Sequence, residues 1–237
     1  MTDAPQHRSE PHTRSVGSLL NVLRAGVLGG QDGIISTAGI VVGVAGASLD
    51  STVLLIAGLA GLVSGALSMA GGEYVSVSSQ RDTEKALLEK ERWELATMPD
   101  EELAELAGIY EEKGLSAELA QQVAVQLHEK DALAAHAEVE LGIDTNEFSN
   151  PWQAAVSSAV SFALGAALPL LAITLSPPDV RVYLTFAVVI LALIGTGLIS
   201  ARVGGAPKGR AVVRNVVVGV ITMVVTFGIG SAVGLWI

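Results

Sequence analysis

The sequence predicts an all-α, polytopic membrane protein: five transmembrane helices, with a three-helix acidic cytosolic module inserted between helices two and three. Three observations predict it. Half of the 237 residues are hydrophobic and mean hydropathy is +0.52, yet the formal net charge is −10. Residues 81–150 hold 18 of the 24 Asp/Glu and 6 of the 14 Lys/Arg, a net of −12, which leaves +2 on the rest of the chain. The stretches 53–72, 148–178, 182–201 and 215–237 contain no charged residue, and each reaches the roughly 20 apolar residues that cross a bilayer core.

Residues 1–20 are polar and rich in Pro, His and Ser, and are expected to form a disordered cytosolic tail. It is too short for an additional folded domain and has no clear signal-peptide cleavage site. The first span is expected at about 22–48; it is apolar apart from Arg24 at its start and Asp32 inside it. The second follows at about 52–75 and carries a GxxxG, Gly61 to Gly65, which reads better as packing within the chain than as a dimer seam. These two spans make up a first membrane segment, 21–80. The remaining spans, at about 152–175, 181–202 and 213–236, make up a second, 151–237. Arg8, Arg14 and Arg24 stand before or at the start of the first span, and Arg202, Lys208, Arg210 and Arg214 flank the loop between the fourth and fifth. Of the bases outside the module, Arg181 alone falls on the other side, so the positive-inside rule puts the N-terminus and the module, 81–150, in the cytosol.

The second span has no stop signal. From Glu73 to Trp93 there is no Gly or Pro, which predicts one helix continuing to about Thr97. Pro99 followed by Asp100, Glu101 and Glu102 suits the first turn of a second module helix, and Lys113-Gly114 suits its end. Ser116 is a natural N-cap for a third helix, closed by Gly142, with an expected apolar stripe of Leu119, Val123, Leu127 and Leu133/Ala134. Some 70 residues bury little core on their own, so support from a partner subunit is expected.

The composition excludes several classes. There is no cysteine, which removes disulfides, thiolate metal sites and cysteine nucleophiles. No basic patch suits nucleic acid. All four histidines (His7, His12, His128, His136) lie outside the spans, so no membrane Ser–His pair is available for hydrolysis, and no enzyme is predicted.

The acids are patterned. Glu91 and Glu94 are three apart on the first module helix, Glu102 and Glu105 repeat that spacing on the second, and His136 and Glu140 are four apart on the third. Such spacings put two ligands on one helical face, and helical bundles build carboxylate metal sites in this way. Oxygen-rich, thiolate-free donors favour Mn²⁺ or Fe²⁺. The alternative is a solvated acidic surface that keeps the module soluble.

Within the membrane, Asp32 is the most informative residue, because a carboxylate at depth costs about 2.5–3.5 kcal/mol on the insertion scale. Asp32 precedes the outer turn by 16 residues and Met69 follows it by 17, so both are expected at a similar depth, roughly 25 Å from that turn. Glu73 lies one turn nearer the cytosol on the face of Met69. Such a trio could bind a divalent cation and exchange it for protons. Ordinary packing of Met69, an interfacial Glu73 and a salt bridge from Asp32 to Arg24 are the structural alternatives.

These residues carry a resemblance. Asp32–Thr37 (DGIIST) and Leu67–Ser76 (LSMAGGEYVS) are similar to segments of the vacuolar iron transporter family, and the continuation Val77–Asp82 (VSSQRD) resembles its bacterial members. Asn150-Pro151-Trp152 before a helix with Gly165 and Pro169, and Thr226–Gly230 (TFGIG), also fit. The resemblance covers about residues 20–237. It implies a five-helix homodimer that moves Fe²⁺, and in many relatives Mn²⁺, out of the cytosol in exchange for protons. It further implies a translocation path at Asp32 and Met69, and metal capture by Glu91, Glu94, Glu102, Glu105 and Glu140. Some relatives carry a ferritin-like domain, for which residues 1–20 leave no room. One departure stands out: His136-Ala137 occupies the place of two adjacent methionines, so His136 is expected to replace one ligand, and iron preference over Mn²⁺ does not carry across. The leading expectation is a divalent-metal/proton antiporter in a bacterial cell membrane, with metal ions as cargo and no resident cofactor. The competing one is a non-transporting scaffold or metal sensor whose acidic module binds a protein partner.

Overall fold

A computed structural model describes residues 16–145 and 148–236, and among these every regular element is helical. The order is α1 (Val16–Ala47), α2 (Ser51–Thr97), α3 (Pro99–Glu112), α4 (Ala117–His136), a π-helical turn (Ala137–Leu141), α5 (Pro151–Leu175), α6 (Arg181–Val203) and α7 (Lys208–Gly234). Five of them (α1, α2, α5, α6 and α7) are long and apolar enough to cross a membrane. Most of the expected tail, residues 1–15, lies outside the described residues, as does the Arg24 side chain. Helix α1 starts at Val16, inside the stretch expected to be tail, and α7 starts at Lys208, about one turn before its expected boundary.

The chain divides into two compact units, residues 1–74 with 151–237, and residues 75–150. In the first, α1 supplies Ile34, Ala38, Val41, Val42 and Ala45 to a core completed by Leu54, Leu170, Ile173, Val189, Leu193 and Met223. Helix α2 buries the smallest share of its apolar window, together with α7. Its Leu55, Ile56, Leu59, Val63 and Leu67 are exposed, as lipid-facing residues can be.

Small residues set the closeness of these helices. An added methyl at Gly33 would fall on the Phe162 carbonyl oxygen, at Gly165 on that of Gly30, and at Gly230 on that of Gly43. α1 therefore touches α5 and α7 backbone to backbone, the close approach that small residues permit in lipid. The GxxxG on α2 is also used within the chain: beside Gly61 lies the Ile40 side chain, and beside Gly65 the Phe162 ring. At the turn between α1 and α2, Asp50 caps α2 by accepting from the Thr52 and Val53 amides, both at 2.9 Å. Buried Arg181 ties that turn to α6 by donating from Nη1 to the Leu49 carbonyl at 2.9 Å.

In the second unit, Pro99 opens α3, and Gly114, at φ 101°, follows its C-cap. The Ser116 side chain caps α4 by accepting from the Leu119 amide, and Gly142 ends the π-helical turn in the left-handed region at φ 66°. Two features depart from the sequence reading. Leu119, the first residue of the expected stripe, is exposed; the buried face runs through Ala120 and Ala124, and Ala124 packs with Leu106 and Ala107 of α3. Helix α4 is also broken at Asp131 (φ −167°, ψ 93°), whose carboxylate accepts from the Ala134 amide at 3.0 Å and so caps a fresh helical segment.

Candidate metal centre

Four helical segments of the second unit carry the candidate ligands, and caps and breaks set their directions. Glu91 and Glu94 lie on the last turns of α2, and Glu102 and Glu105 on the first turns of α3. His136 ends the segment that Asp131 restarts, and Glu140 sits in the π-helical turn.

Glu91, Glu102 and His136 converge. All three are buried, and one donor atom from each lies within 4.8 Å of the other two. His136 Nδ1 is 3.0 Å from Glu91 Oε1, 3.5 Å from Glu102 Oε2 and 3.8 Å from Glu140 Oε2. The imidazole is 0% exposed, yet neither of its nitrogens has a hydrogen-bond partner, nor has Glu91 Oε1. The short separations therefore lack hydrogen-bond geometry. Donors bound to one ion at about 2.1 Å stand roughly 3.0–3.5 Å apart at octahedral and tetrahedral angles. The separations of His136 Nδ1 from Glu91 and Glu102 have that spacing, and Glu140 lies just beyond it.

The other two glutamates stay outside it. Glu94 pairs with Lys90 on its own helix at 2.7 Å, and Glu105 is exposed. Three residues of α-helix turn through about 300°, so the two members of each ExxE pair diverge by about 60°. The first faces inward here, and the second faces the rim.

The electrostatics follow from burial. Burial raises the Glu91 carboxyl to about 7, and the neighbouring Glu140, Glu102, Glu94 and Glu105 add to the rise. Glu102 and Glu140 are raised for the same reasons, burial first. Burial lowers His136, and the adjacent His128 lowers it further, so its imidazole is neutral near pH 7. Without an ion, the Glu91 carboxyl is thus partly protonated near pH 7.

In the membrane unit, Asp32 is exposed on α1, and its backbone carbonyl accepts from the Ser36 hydroxyl. Met69 and Glu73 are half-buried on α2. Among the described residues no hydrogen bond or ion pair links Asp32 to Glu73, so each remains an individual candidate along a path.

Sequence reasoning passed over two contributors to the centre. Lys90 engages Glu94, and its spacing four residues before that acid was a usable signal. His128 packs edge-to-face against His136. Eight residues is not a face-sharing spacing on an unbroken helix, so that neighbour had no signal apart from an Asp in mid-helix.

Comparison with known proteins agrees with this architecture. Residues 23–231 match the VIT family. The chain is similar to the Vacuolar iron transporter of Acanthamoeba castellanii, at 42% identity over 95% of this chain and 84% of that protein. It is also similar to Vacuolar iron transporter homolog 1 of Oryza sativa subsp. japonica, at 38% identity over 90% of this chain and 74% of that protein. A third relative, VIT-like transporter 1b of Glycine max, is 31% identical over 95% of this chain and 82% of that protein. With five apolar spans and these matches, the chain is an integral multi-pass membrane protein that belongs to the VIT family.

Proposed function

We propose that this protein is a divalent-metal transporter that carries Fe²⁺ or Mn²⁺ out of the cytosol by proton antiport, with residues 81–150 as its capture module. The observation that carries the reading is His136. A fully buried imidazole with two unpartnered nitrogens faces carboxylates from other helical segments at coordination spacing. An unpaired buried polar group is costly, and a ligand is a direct reason to retain one. The relatives' names supply the cargo class, iron. One imidazole among carboxylates, with no thioether, suits Mn²⁺ as well as Fe²⁺.

Glu91, Glu102, His136 and Glu140 form the inner ligand set, and Glu94 and Glu105 draw cations to its rim. The ion then passes to Glu73, Met69 and Asp32. Metal and protons compete for the same carboxylate oxygens, so protonation from the far side would release the ion. The lipid-exposed face of α2 and the exposed Asp32 support a homodimer in which the path is completed between protomers. The positive-inside distribution supports a cytosolic N-terminus and module, and the VSSQRD continuation supports a bacterial cell membrane.

The test is flux in proteoliposomes loaded with Fe²⁺, Mn²⁺, Co²⁺ or Zn²⁺ under an imposed pH gradient. Metal movement that accelerates with the gradient and acidifies or alkalinises the lumen in step is expected. Absence of flux for all four ions would leave the scaffold or sensor reading in its place.

A further inference from the structure

His128 lies outside every ligand set considered so far, and its surroundings are unusual. Its Nδ1 is buried without a hydrogen-bond partner. The ring beside it is His136, with centroids 6.0 Å apart and planes at 76°. His136 Nε2, the nitrogen that the centre does not use, is likewise buried and unpartnered. Two orphaned imidazole nitrogens thus sit on neighbouring rings.

Helix geometry makes this neighbourhood a built feature. On a continuous α-helix, residues eight apart are separated by about 12 Å of rise and point about 80° apart. The break at Asp131 lies between the two histidines and redirects the chain. The carboxylate of Asp131 stabilises that break by capping the segment that carries His136.

We propose that His128 is the positioning residue of the metal centre: its Nδ1 accepts the His136 Nε2 proton, directly or through one water, and so keeps His136 Nδ1 free to bind the ion. The proposal rests on the reading of Glu91, Glu102, His136 and Glu140 as that centre. A metal-bound histidine almost always donates its remaining N–H to an outer acceptor, which fixes the tautomer and raises the basicity of the ligand. A direct N–H···N bond near 2.9 Å puts imidazole centroids about 5 Å apart, and one bridging water puts them about 7 Å apart. The observed 6.0 Å falls between these limits, so a closure of about 1 Å, or an opening of about 1 Å that admits one water, completes the link. In the tautomer with its proton on Nε2, His128 Nδ1 is an acceptor.

The experiment uses the full chain in detergent, stripped of metal and titrated with Mn²⁺. The free-ion electron paramagnetic resonance signal gives affinity, and electron spin-echo modulation gives the number of coordinated nitrogens. His128→Leu is expected to weaken Mn²⁺ binding about 10–100-fold, as loss of an outer partner does, while one nitrogen remains coordinated. His128→Asn, which puts an amide oxygen near the place of Nδ1, is expected to recover most of that loss. Thermal unfolding in chelator checks that each variant is folded. Wild-type affinity in His128→Leu would overturn the proposal. Equal losses in the Leu and Asn variants would overturn it too, because packing alone would then explain the residue. Two nitrogens in the wild type, falling to one in His128→Leu, would make His128 a ligand rather than a positioning residue. Unchanged binding in His136→Leu is a separate failure, that of the centre itself.

Discussion

Replacing Glu91 with Gln should stabilise the metal-free protein and destabilise the metal-loaded one. Burial and neighbouring carboxylates lift the Glu91 carboxyl from 4.5 to about 7. At 1.36 kcal/mol per unit, ionising it in the folded state costs on the order of 3 kcal/mol. The folded state holds the proton more tightly than the unfolded one. The stability that Glu91 contributes is therefore complete below pH 4.5 and lost as pH rises through about 7. Gln is neutral throughout. In chelator the two proteins should match near pH 4.5, and the variant should lead by up to about 3 kcal/mol at pH 8. Glu102 and Glu140 are raised in the same direction, and His136 loses stability as pH falls below 6.5. Both proteins retain these three groups, so the difference between the profiles isolates Glu91. Thermal unfolding of the full chain in detergent, followed by tryptophan fluorescence with Trp93 on α2 as the reporter within residues 75–150, would measure it. For a unit of that size, 3 kcal/mol corresponds to a shift of about 12 °C or more. Adding Mn²⁺ at one thousand times its dissociation constant should raise the wild type by about 4.1 kcal/mol, which exceeds that lead and reverses the order where Glu91→Gln has lost the ion. Parallel pH profiles in chelator, or equal stabilisation of both proteins by Mn²⁺, would refute the reasoning.

Mn²⁺ affinity of the wild type should increase with pH up to about 7 and then level, because the ion must displace the Glu91 proton; calorimetric titrations at several pH values would check this, and Glu91→Gln should flatten the rise. Asp32→Ala should abolish flux in proteoliposomes while leaving thermal stability in detergent unchanged, since the residue is exposed. Gly230→Ala drives a methyl into the Gly43 carbonyl and should cost about 1–3 kcal/mol or more in detergent stability, whereas Gly228→Ala meets nothing within 4 Å and should be neutral. Leu106→Ala empties the centre of the small core in residues 75–150 and should cost about 2–5 kcal/mol there, read as an earlier unfolding transition.

Local signals were the legible ones. Charge-free runs marked the spans, and Pro99, Ser116, Gly114 and Gly142 marked helix ends, because caps and left-handed termini depend on one or two residues. The ligand residues were visible as residue types, but their inward or outward sense was not. Glu91 and Glu94 share a spacing with Glu102 and Glu105, and nothing local says that Glu91 and Glu102 turn inward while Glu94 and Glu105 stay at the rim. That choice depends on how three segments meet. The break at Asp131 was similarly hidden, since an Asp on an exposed helical face looks the same whether or not it caps. Without the break, His128 has no reason to meet His136. The helix contacts at Gly33, Gly43, Gly165 and Gly230 are long-range, and only the composition of small residues hinted at them.

The metal centre also bears on why residues 75–150 hold a fold at all. Their buried apolar core is small: Leu88 and Leu106 are its large fully buried side chains, and Ala107, Ala124 and Ala135 cluster with Leu106. Alanines allow helices to approach closely but bury little area, and each buried methylene contributes only about 0.8 kcal/mol. Against that modest core stand two carboxylates and an imidazole, all buried, of which Glu91 Oε1 and both His136 nitrogens have no hydrogen-bond partner. Protonation of Glu91 and neutrality of His136 reduce the cost without removing it, because the convergent lone pairs still lack partners. In the proposed function, a divalent ion bound there would satisfy those lone pairs together and link α2, α3 and the end of α4 through one point. A ligand that binds only the folded state adds its binding energy to stability. A weakly cored, polar-centred unit of this kind is therefore most stable when loaded. On that reading, its fold and its affinity for cargo would rest on the same side chains.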